Sequence, residues 1–322
     1  MRTVVGVLRG GPSSEYEVSL KSGASVLAAL DKDKYDARDI FIDRTGVWHN
    51  RGIATDPHKA LAGVDVAFNT IHGEYGEDGQ LHEIIDPLGI AYTGADKLSS
   101  VLAFNKARTK EAAAKLGVKV AHGTVIEPNG EYESMAHKLF RSFPHPAIVK
   151  PVIGGSSVGT SIVRGFHDLA PALERAARVS PKVLVEEFIP GREATVGVVD
   201  SFRGEQAYAL MPVEIVPPTG KFFDFENKYN GQTLERVPGN FTDTEKRELE
   251  RLAKLVHQEL GMSHYSRSDF IVSKRGIYFL EVNSAAAVGL TQQSLLPKAL
   301  AAVGSSLSQF VEHVVELARK RN

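Results

Sequence analysis

The sequence predicts a mixed chain, α/β at its start and α+β beyond, and three observations carry that expectation. Before residue 99, short apolar runs alternate with segments of helical period, the pattern of a parallel sheet covered by helices. Beyond residue 120, strand-like runs follow one another with less regular helical spacing. The 322 residues, 43% of them hydrophobic and 24% charged, leave room for two or three cores of ordinary globular composition.

In order, 3–8 reads as a buried strand, 10–14 as a glycine-bearing loop and 15–30 as a helix. Residues 39–42 and 64–69 read as further strands, followed by a polar loop over 72–79 and a short helix. The alternation implies a Rossmann-like parallel sheet, with ligands at the carboxyl ends of its strands, where both loops fall. One helix is expected over 99–116. Strands near 120–126, 147–151, 160–163 and 183–188, with helices at 134–143 and 168–177, make a small central α+β unit. From Gly191 a larger α+β unit follows, with strands at 193–199 and 205–210 and a hairpin over 266–282. Its helices are expected at 243–260, 293–302 and 307–320, the last serving as core or as a subunit surface. The implied domains are 1–98, 99–186 and 187–322. Within the third, 217–239 is a long polar segment without a period, and Phe222, Phe223, Phe225 and Tyr229 mark it as a lid that packs down on something.

Composition excludes several classes. A net charge of −1 gives no electrostatic footprint for nucleic acid or anionic membrane. Without cysteine there are no disulfides, zinc-thiolate sites or thiol nucleophiles. The apolar run at 4–8 is too short for a signal peptide and no stretch approaches a membrane span, so a cytoplasmic location is expected.

A turn at Lys274-Arg275-Gly276 centres the hairpin so that Asp269 pairs with Glu281, with Arg267 and Asn283 on the same face. Two carboxylates, an amide and a guanidinium suit Mg²⁺, which takes one or two carboxylates plus phosphate oxygens. Strict alternation places Ile271 and Phe279 on that face, and Phe270, Val272, Tyr278, Leu280 and Val282 on the other. Both faces are apolar enough to be buried, and buried carboxylates need a cation. The alternative is an exposed edge hairpin with a wet face. Lys150-Pro151-Val152-Ile153-Gly154-Gly155-Ser156-Ser157-Val158-Gly159 puts a lysine at a strand end before a turn whose N–H groups can converge on phosphate. Its lysine precedes the glycines, so it is not a Walker A sequence, and alone it is equally an ordinary strand-loop-strand turn. Residues 183–193 form a strand that leaves Glu186, Glu187 and Glu193 at a domain junction, near Ile189, where an adenine slot or a strand with one wet face both fit.

The chain resembles the D-alanine–D-alanine ligases of the ATP-grasp superfamily over nearly its whole length. The matching stretches are Gly10-Gly11-Pro12-Ser13-Ser14-Glu15-Tyr16-Glu17-Val18-Ser19-Leu20 and His72-Gly73-Glu74-Tyr75-Gly76-Glu77-Asp78-Gly79-Gln80-Leu81. Tyr92-Thr93-Gly94, Lys106 with Thr109-Lys110, the Lys150 loop and 221–229 come next. Arg267-Ser268-Asp269-Phe270, Glu281-Val282-Asn283 and Ser294-Leu295-Leu296-Pro297 complete the set. The resemblance implies an ATP-grasp fold and an ATP-dependent ligase joining two D-alanine molecules for peptidoglycan precursors. By that resemblance Lys106, Lys150 and Ser157 meet ATP phosphates, and Glu186, Glu187, Ile189 and Glu193 line the adenine and ribose pocket. Asp269, Glu281 and Asn283 hold two Mg²⁺ ions, with Mn²⁺ as the alternative. Glu15 binds the ammonium of the first D-alanine. Arg267 binds its carboxylate and later the oxyanion, with the Gly289 N–H. Ser156 and Tyr229 join Glu15 in a triad that latches the lid. His72 lies near the second substrate, although on its own it reads first as a loop histidine capping backbone groups, and Lys228, Ser294 and Leu295 lie near that substrate's carboxylate. The family also implies a homodimer.

Asn105 stands where the family usually has aspartate. Ser284-Ala285-Ala286-Ala287-Val288-Gly289-Leu290-Thr291 is two residues longer than the family segment and lacks its proline, so a mobile loop is expected there. Relatives that use D-serine or D-lactate as second substrate, or that bind nucleotide without ligating, are the competing readings, and Tyr229 argues against the lactate type.

Overall fold

The computed structural model describes residues 2–155, 158–216 and 233–320. Its first sheet holds β1 (Thr3–Gly10), β2 (Tyr35–Ile42), β3 (Trp48–Asn50), β4 (Ile53–Thr55), β5 (Val66–Asn69) and β6 (Ala91–Tyr92), in the order β4-β3-β2-β1-β5-β6. The β2-β1-β5-β6 pairs are parallel, and the antiparallel β3-β4 hairpin extends one edge. Val5, Val7 and Leu8 of β1 have no exposed surface, as a central strand covered on both faces requires. Helix α1 (Tyr16–Ala29) packs on this sheet, and α2 (Pro57–Ala60) and α3 (Gln80–Ile85) follow in its connections.

The single helix expected over 99–116 is two helices, α4 (Lys97–Phe104) and α5 (Lys106–Lys115). Asn105 breaks it. Its backbone is extended and its side chain accepts from the Arg108 N–H at 3.0 Å, the geometry of an N-cap. It also bridges to Ile153, and the Lys106 N–H donates to the Val152 carbonyl at 2.9 Å. The break therefore starts α5 against the Lys150 loop.

The second sheet is antiparallel in the order β7-β10-β8-β9, from β7 (Gly123–Ile126), β8 (Ala147–Pro151), β9 (Ser161–Val163) and β10 (Val183–Glu187). Helices α6 (Tyr132–Ser142) and α7 (Phe166–Ala177) cover the face that carries Val149, Val163, Val183 and Val185. Alternation turns Lys150 and Glu186 to the opposite face.

The third sheet runs β14-β13-β11-β15-β16, with β12 on β11: β11 (Arg192–Asp200), β12 (Ala207–Ala209), β13 (Val213–Val216), β14 (Leu234–Arg236), β15 (Tyr265–Ser273) and β16 (Gly276–Ser284). Thr242 and Glu245 form a capping box at the start of α8 (Asp243–Glu259), which shares a core with α4, α5 and this sheet through Leu249, Leu252, Val256, Ala103, Ala113, Phe270 and Phe279. After α9 (Leu295–Ala302) the chain returns to the first sheet. Helix α10 (Leu307–Lys320) buries Phe310, Val311, Val314 and Val315 in one cluster with Val5, Val7 and Phe68, so it is core.

The hairpin pairs Asp269 with Glu281 and Arg267 with Asn283 as expected, but strict alternation fails next to them. A bulge puts Phe270 opposite Phe279 and leaves Leu280 as the extra residue. Phe279 therefore joins Phe270 in the α8 core, and Tyr278 joins Ile271 in a smaller cluster, the reverse of the predicted faces for these two aromatics. The bulge lets a fully buried aromatic strand end and a carboxylate pair coexist on adjacent turns of one hairpin.

A buried network braces the first sheet to the third. The His257 ring lies between Ser266 Oγ at 2.7 Å and Asp200 Oδ1 at 2.9 Å, and the Gly94 N–H donates to His264 Nδ1 at 2.9 Å. Its Ser-His-Asp composition carries no hydrolytic chemistry, because Ser266 has no exposed surface. Among the described residues no helix is long and apolar enough to cross a membrane.

Candidate active site

The cleft lies where the open face of the second sheet meets α5, the β15-β16 hairpin and the carboxyl end of β1. On the hairpin, Arg267 Nε and an Nη each lie 3.2 Å from an oxygen of Asp269, a bidentate pair. Thr195 Oγ1 of β11 donates to Asp269 Oδ1 at 2.5 Å, and Asn283 Nδ2 donates to Oδ2 at 3.0 Å. Asp269 and Arg267 are both buried, whereas Glu281 is half-buried. No group of three His, Asp or Glu suited to a metal forms among the described residues. Asp269, Glu281 and Asn283 nonetheless offer hard oxygen donors on one face, which fits Mg²⁺ completed by phosphate oxygens.

Lys106, at the first turn of α5, lies 3.6 Å from Glu281 Oε2 and donates to the Gly154 carbonyl at 2.5 Å. It thus touches both the acid hairpin and the glycine loop. Lys150 and Lys110 converge on Glu186, at 2.6 Å and 3.0 Å from its two oxygens. Burial pushes the Glu186 carboxyl up, and the two lysines outweigh it and hold it below its ordinary range. Glu187 also lines this cavity, where it accepts from the His122 N–H and pairs with Arg275. Ile189 is buried against Ala121 and Tyr278, and Glu193 pairs in register with Ile271.

At the other end of the cleft Glu15 and Glu77 are both buried. Glu77 Oε1 accepts from the Gly73 N–H at 2.6 Å, and a Cβ built on Gly73 would lie 3.4 Å from Glu15 Oε2. Two acids thus rest on one glycine. Burial, then the charge of Glu15, raises the Glu77 carboxyl well above its ordinary value. Gly155 comes closer still to Glu15: a Cβ there would sit 2.0 Å from Oε2, so no other residue fits without displacing the carboxylate. The glycine loop therefore packs on the first sheet's acid.

His72 is buried with Nε2 3.0 Å from Ser22 Oγ, and the Leu290 N–H reaches the same hydroxyl at 3.4 Å. That chain ties the loop after β5 to the segment carrying Gly289. Residues 285–287 form a 3₁₀ turn in which Ala285 and Ala286 are buried, flanked by Val288 and Leu290 at 1% exposure. The expected loosely held loop is thus a packed turn. Alanine side chains are short enough for the turn to settle against Gly94, where a Cβ would meet Ala285 Cβ at 3.0 Å. Gly289 lies against Ser294, whose Oγ is 2.9 Å from Thr291 Oγ1, at the start of α9. The Leu295 side chain is buried in the main core, so only its backbone can serve a substrate. Ser156, Ser157, Lys228, Tyr229 and residues 217–232 of the segment expected to be a lid lie outside the described residues, whereas its end, Leu234–Arg236, is strand β14 of the third sheet and not a periodless loop.

The structure adds Lys110, Glu77, Ser22 and Thr195 to the residues expected from sequence. Lys110 was visible as the residue one helical turn beyond Lys106, whereas Thr195 and Ser22 carry no local signal because their partners are 74 and 50 positions away.

Residues 4–60 match the family model for the D-ala D-ala ligase N-terminus and 113–316 that for the D-ala D-ala ligase C-terminus. A D-alanine–D-alanine ligase of Geobacter sulfurreducens is 39% identical over 318 residues, covering 97% of this chain and 93% of that protein. The crystal structure of the D-Ala:D-Ser ligase VanG of Enterococcus faecalis superposes with a TM-score of 0.85 at 28% identity, covering 99% of this chain and all of that one. The D-alanine–D-alanine ligase of Coxiella burnetii shares the fold with a TM-score of 0.83 at 24% identity, over 99% and 94% of the two chains.

Proposed function

The chain belongs to the D-alanine–D-alanine ligase family, and from that premise we propose that it joins two D-alanine molecules at the cost of ATP, supplying a dipeptide for peptidoglycan precursors. The observation that carries this reading is the convergence of Arg267, Asp269, Glu281, Asn283, Lys106 and Lys150 on one cleft whose far end is lined by Glu15.

In this reading the triphosphate draws Lys106 from Glu281 and Lys150 from Glu186, exchanging internal carboxylates for phosphate oxygens. Asp269, Glu281 and Asn283 would hold Mg²⁺ between those phosphates. Bound there, the metal offsets charge on the transferring phosphoryl group. Glu186 accepts from the base's amino group and Glu193 meets the ribose. Glu15 takes the ammonium of the first D-alanine, which aims its carboxylate at the γ-phosphate. The carboxylate displaces ADP to give an acyl phosphate. The amine of the second D-alanine then attacks that carbonyl, and inorganic phosphate leaves from the tetrahedral intermediate while Arg267 and the Gly289 N–H carry its oxyanion. Water destroys an acyl phosphate, so the reaction needs a lid, a role we assign to the part of 217–239 that precedes β14, with Ser156 and Tyr229 joining Glu15. His72 stands beside the acceptor through its link to Ser22, and Lys228 with the start of α9 receives the acceptor's carboxylate.

The test is ADP release in the presence of Mg²⁺, ATP and D-alanine, with the dipeptide identified by mass, against D-serine and D-lactate as second substrates. D-alanine-dependent ADP release with D-alanyl-D-alanine as main product is expected. ADP release indifferent to D-alanine would overturn the reading.

A further inference from the structure

Lys110 is a buried cation that the reaction above leaves without a task. It lies on α5 one turn beyond Lys106, is 5% exposed, and spans two walls of the cleft. Its ammonium is 3.0 Å from Glu186 Oε2 on the second sheet and donates to the Phe279 carbonyl of the third at 3.3 Å. Glu186 is 3% exposed and meets Lys150 through its other oxygen at 2.6 Å. One carboxylate therefore holds two ammonium groups, one on each oxygen.

The duplication matters when nucleotide binds. Lys150 begins the glycine loop and can turn to the phosphates, whereas Lys110 is fixed between Glu186 and a backbone carbonyl. A buried carboxylate stripped of every cation takes up a proton, and a protonated carboxyl donates as readily as it accepts. An ionised carboxylate only accepts. It pairs with an exocyclic amino group and repels a carbonyl oxygen at the same place.

We propose that Lys110 sets the nucleotide base selectivity: it remains on Glu186 when Lys150 turns to the phosphates, keeps that carboxylate an acceptor only, and so selects a 6-amino purine over a 6-oxo purine. The inference rests on the reading of Glu186 as the group that meets the base. Burial draws the Lys110 ammonium down to about 8, against the pull of Glu186, which still leaves it mainly charged near neutral pH. Lys110 is in this sense a positioning residue, acting on the base through Glu186.

The experiment compares kcat/KM for ATP and ITP, which differ at the 6-position, in the wild type, Lys110→Met, Glu186→Gln and the double variant. Lys110→Met is expected to lower the ATP/ITP ratio at least tenfold, chiefly through the KM for ATP, and to raise use of ITP as a neutral Glu186 donates to its 6-oxo group. Glu186→Gln is expected to relax the ratio similarly, with no further change in the double variant. Where Lys110→Met does not fold, Lys110→Gln, which still reaches the Phe279 carbonyl as a neutral donor, carries the same expectation. If Glu186→Gln relaxes the ratio while Lys110→Met or Lys110→Gln slows both nucleotides equally, Lys110 only braces the cleft and the inference is wrong. If Glu186→Gln leaves the ratio unchanged, Glu186 does not meet the base, and the assignment fails together with the inference built on it.

Discussion

At the proposed nucleotide end of the cleft, opposite charges face each other: Lys150 and Lys110 on Glu186, Lys106 on Glu281 and Arg267 on Asp269. At the proposed amino-acid end like charges meet, with Glu15 and Glu77 against the same glycine. The first arrangement keeps a highly charged pocket folded without its ligand, since each buried ion has a counterion. In the proposed reading a triphosphate with its metal then exchanges partners instead of creating them. The second arrangement is electrostatically uphill, only partly offset by Lys106, and in the same proposed reading the ammonium of an amino acid relieves it further. On that reading one end exchanges charge, and the other accumulates it for a substrate of opposite sign.

The largest expected effect breaks the paired end. Asp269→Asn leaves Arg267 facing a neutral amide, and Glu281→Gln removes the partner of Lys106 and the second carboxylate of the hairpin. Either change should lower turnover by about 10²–10³-fold or more, the scale on which a single charge-stabilising group acts in phosphoryl and acyl transfer. ADP release at saturating ATP measures it. Near-normal turnover in either variant would mean that the hairpin is a structural ion cluster and not a metal site.

The amino-acid end should break differently. Gly155→Ala places a methyl where Glu15 Oε2 now lies, within 2.0 Å, so the carboxylate or the loop must move. The expected outcome is a rise of about tenfold or more in the KM for the first D-alanine, because a charge-assisted hydrogen bond is worth roughly 1.5–3 kcal/mol. ATP binding measured without D-alanine should change little. An equal loss in both would show that the glycine loop, and not the acid, is what the methyl disturbs.

A smaller effect is expected at the junction of the two ends. Asn105→Ala removes the cap that starts α5 and aims Lys106, at a cost of about 1 kcal/mol. Thermal unfolding reads the stability loss, and a parallel rise in the KM for ATP would show that the cap also positions Lys106. Asn105→Asp should retain both, since either side chain accepts from the Arg108 N–H. A loss in the aspartate variant would mean that the amide has a partner beyond the cap.

Much of this was legible in the sequence, and what was not has identifiable causes. The pairing of Asp269 with Glu281 follows from a turn centred on Arg275 and a period of two, and the hairpin obeys it. The swapped faces of Tyr278 and Phe279 do not follow, because a one-residue bulge at Leu280 has no composition signal in a run that is apolar throughout. The break at Asn105 was hidden by good helix formers on both sides, although asparagine three residues before a backbone donor is a cap signature. The alanine turn at 285–287 read as loose because local propensity says nothing of the close approach to Gly94, which comes from a strand end nearly two hundred positions earlier. Lys110 and Glu77 were within recognised stretches, but their partners lie on other strands and loops, so only the fold gives them roles.

The smallest effect tests the like-charge end by pH. Glu77 is raised well above its ordinary 4.5, first by burial and then by Glu15, with Glu74 adding to the rise and the Gly73 N–H and Lys106 opposing it. An acid whose folded value exceeds its unfolded value holds its proton more tightly when folded, so it supports folding at low pH. That support is lost as pH rises from about the unfolded value towards the folded one, and above it the ionised carboxylate is a net burden. Glu77→Gln keeps an acceptor for the Gly73 N–H and cannot ionise. Near neutral pH it should therefore be more stable than the wild type, by less than about 1 kcal/mol once the new amide donors have found partners. The advantage should shrink as pH falls towards 4.5 and vanish or reverse below it. Melting temperatures of the two proteins across that range, without substrate, measure the difference. Adding D-alanine should narrow it, since the ammonium relieves the same repulsion. A constant offset at every pH would show that Glu77 is ionised or neutral alike in both folded and unfolded chains, and the two ends of the cleft would then not differ in the way their geometry indicates.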